Sequence, residues 1–179
     1  GFGIAQLDKY LKKLQENGYT IVVYTQDIQG KNTTRSLSEI ISPGTFFSTD
    51  TNELSNNILC IWLHRSNNSK IMNESVTIGI SNIDIYTGKS SIFQLTKDYH
   101  HNPCTYDDVE RYVSIYNPVE TIIISNMENN IINDIIEYII LNSKKIHIIN
   151  QNEDNTLCKL SKNAEKQIYQ KAVLEKFYS

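Results

Sequence analysis

Ile58-Leu59-Cys60-Ile61-Trp62-Leu63-His64, then Val76-Thr77-Ile78-Gly79-Ile80-Ser81-Asn82-Ile83-Asp84-Ile85-Tyr86, then Lys89-Ser90-Ser91-Ile92-Phe93-Gln94-Leu95: these three runs decide the fold. All are rich in β-branched and aromatic residues. Ser66 to Asn73 and Thr87-Gly88 separate them as turns, so they read as three consecutive strands with a tight hairpin at Thr87-Gly88. Downstream the period lengthens. Val109, Tyr112, Val113 and Tyr116 make the apolar stripe of a helix that starts at Thr105, an N-cap with Asp108 three residues later, and stops at Asn117-Pro118. Glu120 to Ser125 reads as a short buried strand and Lys145 to Ile149 as another. Between them Asn130 to Leu141 is a helix with the stripe Ile131, Ile132, Ile135, Ile136, Ile139 and Ile140. A last helix is expected from Ser161 to the final residue, with Ala164, Ile168, Ala172, Val173 and Phe177 inward. Periodicity alone assigns this stretch to the α/β class.

Upstream, Leu7, Tyr10, Leu11 and Leu14 fall on one face of a helix, with Lys12 and Lys13 among its solvated residues; Asn17-Gly18 ends it. Tyr19 to Tyr24 reads as a buried strand, Asp27 to Thr34 as a polar loop, and Arg35 to Ile41 as a second strand broken by Pro43-Gly44. The segment 45–57 is polar and lacks sustained periodicity. It is the best boundary in the chain, dividing residues 1–44 from 58–179.

With 179 residues and 40% hydrophobic content the chain can bury one good core or two small ones. Cys60, Cys104 and Cys158 are widely spaced and odd in number, which argues against a disulfide framework and for a reducing, intracellular compartment. No apolar run approaches the ~20 residues that span a bilayer. A net charge of −3 argues against a self-sufficient nucleic-acid binder, since phosphate contacts need clustered cations.

Four blocks resemble landmarks of the MutS family of DNA mismatch-repair proteins, in the family's order. Gly1-Phe2 with Leu7 to Leu14 is similar to the helix G-x-P-x-H-x-x-x-x-Y-x-x-x-L, which precedes a strand resembling Gly18 to Gln26. Arg35 to Thr45, ending in Ser-Pro-Gly-Thr, resembles the close of the mismatch-binding domain. Val76 to Gly88 resembles the central hairpin of the connector domain, and Asn117-Pro118-Val119-Glu120 its N-P-x-E block. Gly3 and Ala5 replace the family's Pro and His, and Thr25 replaces an acid. These departures point to a divergent branch, such as the large MutS proteins of giant viruses and some mitochondrial genomes.

The resemblance implies a partial mismatch-binding α/β domain (1–44), a linker (45–57) and an RNase H-like mixed-sheet connector (58–179). It implies that the chain is a fragment: the Phe-x-Glu wedge would precede Gly1 and the ATPase would follow Ser179, and the absent initiating Met and the last helix without a stop signal agree. The parent would bind mismatched double-stranded DNA, use ATP and Mg²⁺, dimerise, and meet a MutL-like partner through the connector; no cofactor is expected in this stretch. The linker from Pro43 to Asn57 is the candidate hinge.

For DNA contact the candidates are Lys31, Arg35 and Lys9, where loop and strand-start cations can reach phosphates. They would position DNA without identifying a mismatch. A nuclease would need several carboxylates around two metal ions. The first sheet strand carries none, which leaves Asp84, read as a structural cap of the hairpin turn. Gly88-Lys89-Ser90 lacks the earlier Gly and the following helix of a phosphate loop. His100, His101 and Cys104 lack the second ligand pair of a zinc site. The rival functional reading is a non-catalytic RNase H-like protein-interaction module.

Overall fold

The computed structural model describes residues 3–29, 32–47, 55–68 and 73–178. After a short 3₁₀ turn, Leu7–Glu16 forms helix α1, which Asn17 and Gly18 (φ +73) terminate. Strands β1 (Ile21–Gln29) and β2 (Asn32–Ile41) then pair antiparallel, from Ile21 opposite Ile41 to Gln29 opposite Asn32. Most of the expected polar loop 27–34 is therefore ladder, because β-branched Ile28, Thr33 and Thr34 favour extended backbone and each strand satisfies the other. The expectation that Tyr19 to Tyr24 is buried is overturned. Tyr19, Val22 and Tyr24 are exposed, since two strands and one short helix provide too little surface to cover them.

The second sheet holds β3 (Asn57–Asn68), β4 (Asn73–Asp84), β5 (Ser90–Asp98), β6 (Glu120–Ser125) and β7 (Lys145–Asn150) in the order β5-β4-β3-β6-β7. The pairs β3–β4 and β4–β5 are antiparallel; β3–β6 and β6–β7 are parallel. The mixed α/β architecture expected from the strand and helix runs is present.

Register puts Leu59, Ile61, Leu63, Val76, Ile78, Ile80 and Ile123 on one face. Helices α2 (Asp107–Tyr116) and α3 (Asn129–Tyr138) cover it with Val109, Val113, Ile132 and Ile135. Isoleucine costs a helix up to about 0.7 kcal/mol relative to alanine. Burying each such side chain contributes about 1.5–3 kcal/mol, so packing outweighs the propensity penalty of α3.

The helix ends differ from expectation in instructive ways. Thr105 is not the cap of α2: it is buried in the preceding 3₁₀ turn Pro103–Tyr106, its hydroxyl bonded to the His100 carbonyl at 2.8 Å, while Asp108 pairs with Lys97 at 2.9 Å. Asn117 does end α2, in the left-handed conformation at φ 40. The expected last helix is two helices, α4 (Thr156–Ala164) and α5 (Gln167–Tyr178). The Asn155 side chain accepts from the Cys158 amide and so starts α4 upstream of Ser161. The expected inward stripe is not there: Ala164, Ile168 and Ala172 are exposed, Val173 is half-buried, and the residues that α4 buries are Cys158 and Ser161. The Phe177 side chain lies outside the described residues.

Ile140, expected on the buried stripe of α3, lies beyond it at φ 49 and is 67% exposed. A β-branched residue in this conformation is strained by roughly 1–2 kcal/mol and nothing covers its side chain to compensate. Ile140→Gly is expected to stabilise the fold by about 0.5–1 kcal/mol, after the entropy cost of glycine, in urea unfolding.

Candidate nucleic-acid interface

The α1–β1–β2 unit offers an open groove of about 560 Å³ between the helix and the ribbon, with Leu7, Tyr10, Leu14, Val22 and Tyr24 along it and Arg35 at its border. Arg35 stands opposite Gln26 in the ladder and is exposed. Lys9 is exposed on α1 but does not line the groove, and Lys31 lies outside the described residues. Of the three candidate phosphate contacts, the structure thus puts one at the groove and one elsewhere on the unit's surface.

The sharper geometry lies where this unit meets the five-stranded sheet. Glu120, the first residue of β6, is buried. Its Oε2 accepts from the Ser42 hydroxyl at 2.6 Å and the Gly44 amide at 2.8 Å, and its Oε1 from His147 Nε2 at 2.7 Å. Burial works against its charge, but hydrogen bonds from Ser42, His147 and Gly44 outweigh it and hold the carboxyl below its ordinary value. Each hydrogen bond to a charged group is worth a net ~1.5–3 kcal/mol.

The Ser42–Thr45 turn, closed by the Thr45 amide donating to the Ser42 carbonyl at 3.1 Å, presents the Gly44 amide to this carboxylate. A Cβ on Gly44 would come within 2.7 Å of both Glu120 Oε2 and Ile58, so a side chain there would have to push one or both of them aside. Gly18 makes a second close approach, to the Lys144 carbonyl just before β7. Within the unit, the buried Gln15 ties α1 to the end of β2 by donating to the Ile41 carbonyl at 3.1 Å.

The sequence motifs Ser-Pro-Gly-Thr and Asn-Pro-x-Glu are therefore two halves of one contact. Sequence reasoning picked out both and missed that they meet. An acid opening an otherwise apolar strand was the available signal, because a buried carboxylate demands donors.

The segment that follows is fastened at its described ends. Asn56 donates from its side chain to the Gly44 carbonyl at 3.1 Å, and its backbone amide donates to Asp84 Oδ1 at 2.9 Å. Asp84 also accepts from the Thr87 hydroxyl at 2.6 Å and the Tyr86 amide at 3.2 Å, so it caps the hairpin turn as expected and anchors the linker besides. The Thr87 hydroxyl, then the Asn56 amide, hold its carboxyl below the usual carboxylate range against the opposing effect of burial.

At the carboxyl ends of β3 and β6 lies a cleft of about 480 Å³ lined by Arg65, Asn126, Met127, Glu128, Ile131 and Asn152. Arg65 is engaged there by Glu74 and stacks on Tyr99 with its guanidinium carbon 4.2 Å from the ring centroid. Among the described residues no group of three His, Cys, Asp or Glu stands close enough to hold a metal ion, and none of the helices is long and apolar enough to cross a membrane. Gly88 turns at φ +68 into a strand, and the three cysteines are free.

No family model matches the chain. A putative DNA mismatch repair protein, a MutS homolog of Acanthamoeba polyphaga mimivirus, is 25% identical over 123 residues, 69% of this chain. The chain is similar to a MutS homolog. That stretch is 11% of the viral protein's length, so most of the relative has no counterpart in the aligned region.

Asp84→Asn keeps the shape of the turn but has one acceptor oxygen in place of two, so it cannot serve the Asn56 and Tyr86 amides and the Thr87 hydroxyl together as the carboxylate does, and it does not titrate in the acid range. Because the folded carboxyl is held low, its stabilisation is complete above the usual carboxylate range and is lost as pH falls through its lowered value. Denaturation of both proteins across the acid range should show wild type more stable near neutrality and the gap closing on acidification.

Proposed function

We propose that this chain is a stretch of a MutS-like protein that recognises mismatched duplex DNA, in which residues 1–44 form DNA-proximal scaffold and residues 58–179 an RNase H-like connector relaying to a distant ATPase. The observation that supports it is the meeting of Ser42 and Gly44 with Glu120: two sequence blocks that resemble separate MutS landmarks are hydrogen-bonded to each other. Similarity to the viral MutS homolog supports the same reading. In it the chain performs no chemistry. ATP and Mg²⁺ serve the parent's ATPase, the parent dimerises, and a MutL-like protein meets the connector.

Mismatched DNA kinks at lower cost than paired DNA, and a wedge elsewhere in the parent exploits that deformability. This stretch holds the wedge's support in register with the sheet. Arg35, exposed at the border of the α1 groove, contributes phosphate contact and not base readout.

Two experiments test the proposal. Reading the coding sequence on both sides of this stretch should reveal a Phe-x-Glu upstream and a Walker A motif downstream; neither being encoded would sink it. In the full-length gene product, Arg35→Ala should weaken binding to mismatched and fully paired duplexes by the same factor, with the slope of log affinity against log salt falling by about 1. A loss confined to mismatched duplex would assign Arg35 to readout instead.

A further inference from the structure

We propose that the free border of β5 is a self-association surface: two copies of this chain pair their β5 strands antiparallel about a two-fold axis at Gln94, so that their two sheets become one. The inference rests on the border's own geometry and goes beyond the reading of the chain as part of a mismatch-repair protein.

The hydrogen-bond phase of β5 is fixed at both ends. Asp84 donates from its amide to the Lys89 carbonyl at 2.9 Å, Tyr99 donates from its amide to the Glu74 carbonyl at 2.8 Å, and the register between these two bonds is unbroken. Backbone groups alternate in direction along a strand. Ser91, Phe93, Leu95 and Lys97 therefore turn theirs toward β4, while Ser90, Ile92, Gln94, Thr96 and Asp98 turn theirs outward. No described strand meets them. Such borders are commonly blunted by a bulge, a proline or charge, and β5 has neither bulge nor proline and is charged only at Lys97 and Asp98, at one end. The opposite border, β7, is six residues long and carries Lys145 and His147.

The sequence of β5 fits a copy of itself. Gln94 has both backbone groups outward, as the central residue of a two-fold, mutually hydrogen-bonded antiparallel pair requires. About that axis Ile92 falls opposite the copy's Thr96 and Phe93 opposite its Leu95, pairs that pack well across strands. Lys97 and Asp98 fall opposite the copy's Ser91 and Ser90, so no like charges meet. The Gln94 side chain is exposed and makes no hydrogen bond among the described residues; its amide, both donor and acceptor, faces the same amide of the copy.

Uncovered apolar groups mark both faces of this border. Ile92 is the most exposed large hydrophobic side chain described on the sheet. On the other face, Asp108, Tyr112 and Ile115 follow one stripe of α2; the first two reach Lys97 and Ser91 of β5, and Ile115 is exposed. An axis perpendicular to the sheet keeps each face continuous across the join, so both isoleucines lie beside the copy.

Sedimentation velocity of the full chain over a wide concentration range tests the proposal. Wild type should pass from monomer to dimer as concentration rises. Gln94→Pro removes an outward N–H that bonds nothing in the monomer and sets a ring on the axis, and Ile92→Lys puts a charge on the border without touching the backbone, so it decides the matter if the proline loosens the strand. Each should weaken dimerisation about tenfold or more. Register is read by oxidation in a Cys104→Ser background. Gln94→Cys should cross-link two copies, since a hydrogen-bonded antiparallel pair stands ~5.5 Å apart at Cα, within disulfide reach. Ser90→Cys should not, because its counterpart lies at the far end of the joined strands. A wild type that stays monomeric throughout, a dimer that Ile92→Lys and Gln94→Pro both leave at wild-type strength, or cross-linking as efficient at residue 90 as at residue 94 would overturn the proposal.

Discussion

A carboxylate taken out of water has to be met by donors, and at Glu120 the donors come from residues nearly eighty positions away. That requirement sets much of the arrangement around it. Ser42 offers its hydroxyl, and residue 44 offers its amide at a point where a Cβ would crowd Glu120 and Ile58. The Ser42–Thr45 turn thereby carries β2, and with it α1 and β1, to the amino-terminal end of the parallel strands. Gly18 against the Lys144 carbonyl fixes the unit at a second point, so its placement is defined by contacts of two backbone segments that bear no bulky side chain at the point of approach.

The five-stranded sheet was legible because its information is local. β-branched runs such as Ile58 to Leu63 and Glu120 to Ser125 specify extended backbone, and the helix stripe of Val109 and Val113 needs only its own spacing to be seen. Asp84 was legible for the same reason: its partners Tyr86 and Thr87 follow within three residues. What depends on neighbours was not. Tyr19 to Tyr24 looks like core in sequence, but whether a strand is covered is decided by the elements beside it. The division between α4 and α5 was hidden because Ala164 and Ile168 keep a helical spacing across the break at Glu165-Lys166, while the cap that starts α4, Asn155, lies ahead of any apolar periodicity. Of the candidate contacts with DNA, Lys9 and Arg35 are both exposed, but residues 34–40 are exposed without alternation, so strand phase carried no information about Arg35. The joint at Glu120 was not legible either, since pairing over such a separation leaves no trace in spacing.

Two faces of the sheet have different chemistry, and the difference organises the molecule. One is closed by α2 and α3 over an aliphatic core. The other carries Cys60, Trp62, Ile92 and Ile124 along a groove bordered by α4 and α5, with Ile92 86% exposed, and receives the Ser42–Thr45 turn at the end where Ile58 and Glu120 stand. The first face supplies stability. The second carries the contacts by which this sheet meets other parts of the chain, and burial of Cys60 there pushes its thiol upward, away from the reactive thiolate form.

The β1–β2 ribbon has a further consequence. Among the described residues it pairs with no third strand, it contains no proline, and Tyr24, Leu37 and Ile40 are uncovered on it, with Asp27, Arg35 and Glu39 as its charges. Strand borders of this kind are templates for a neighbour's backbone. Charge is what blunts such a border, and the ribbon carries little of it around Leu37, where Arg35 and Glu39 flank the exposed side chain.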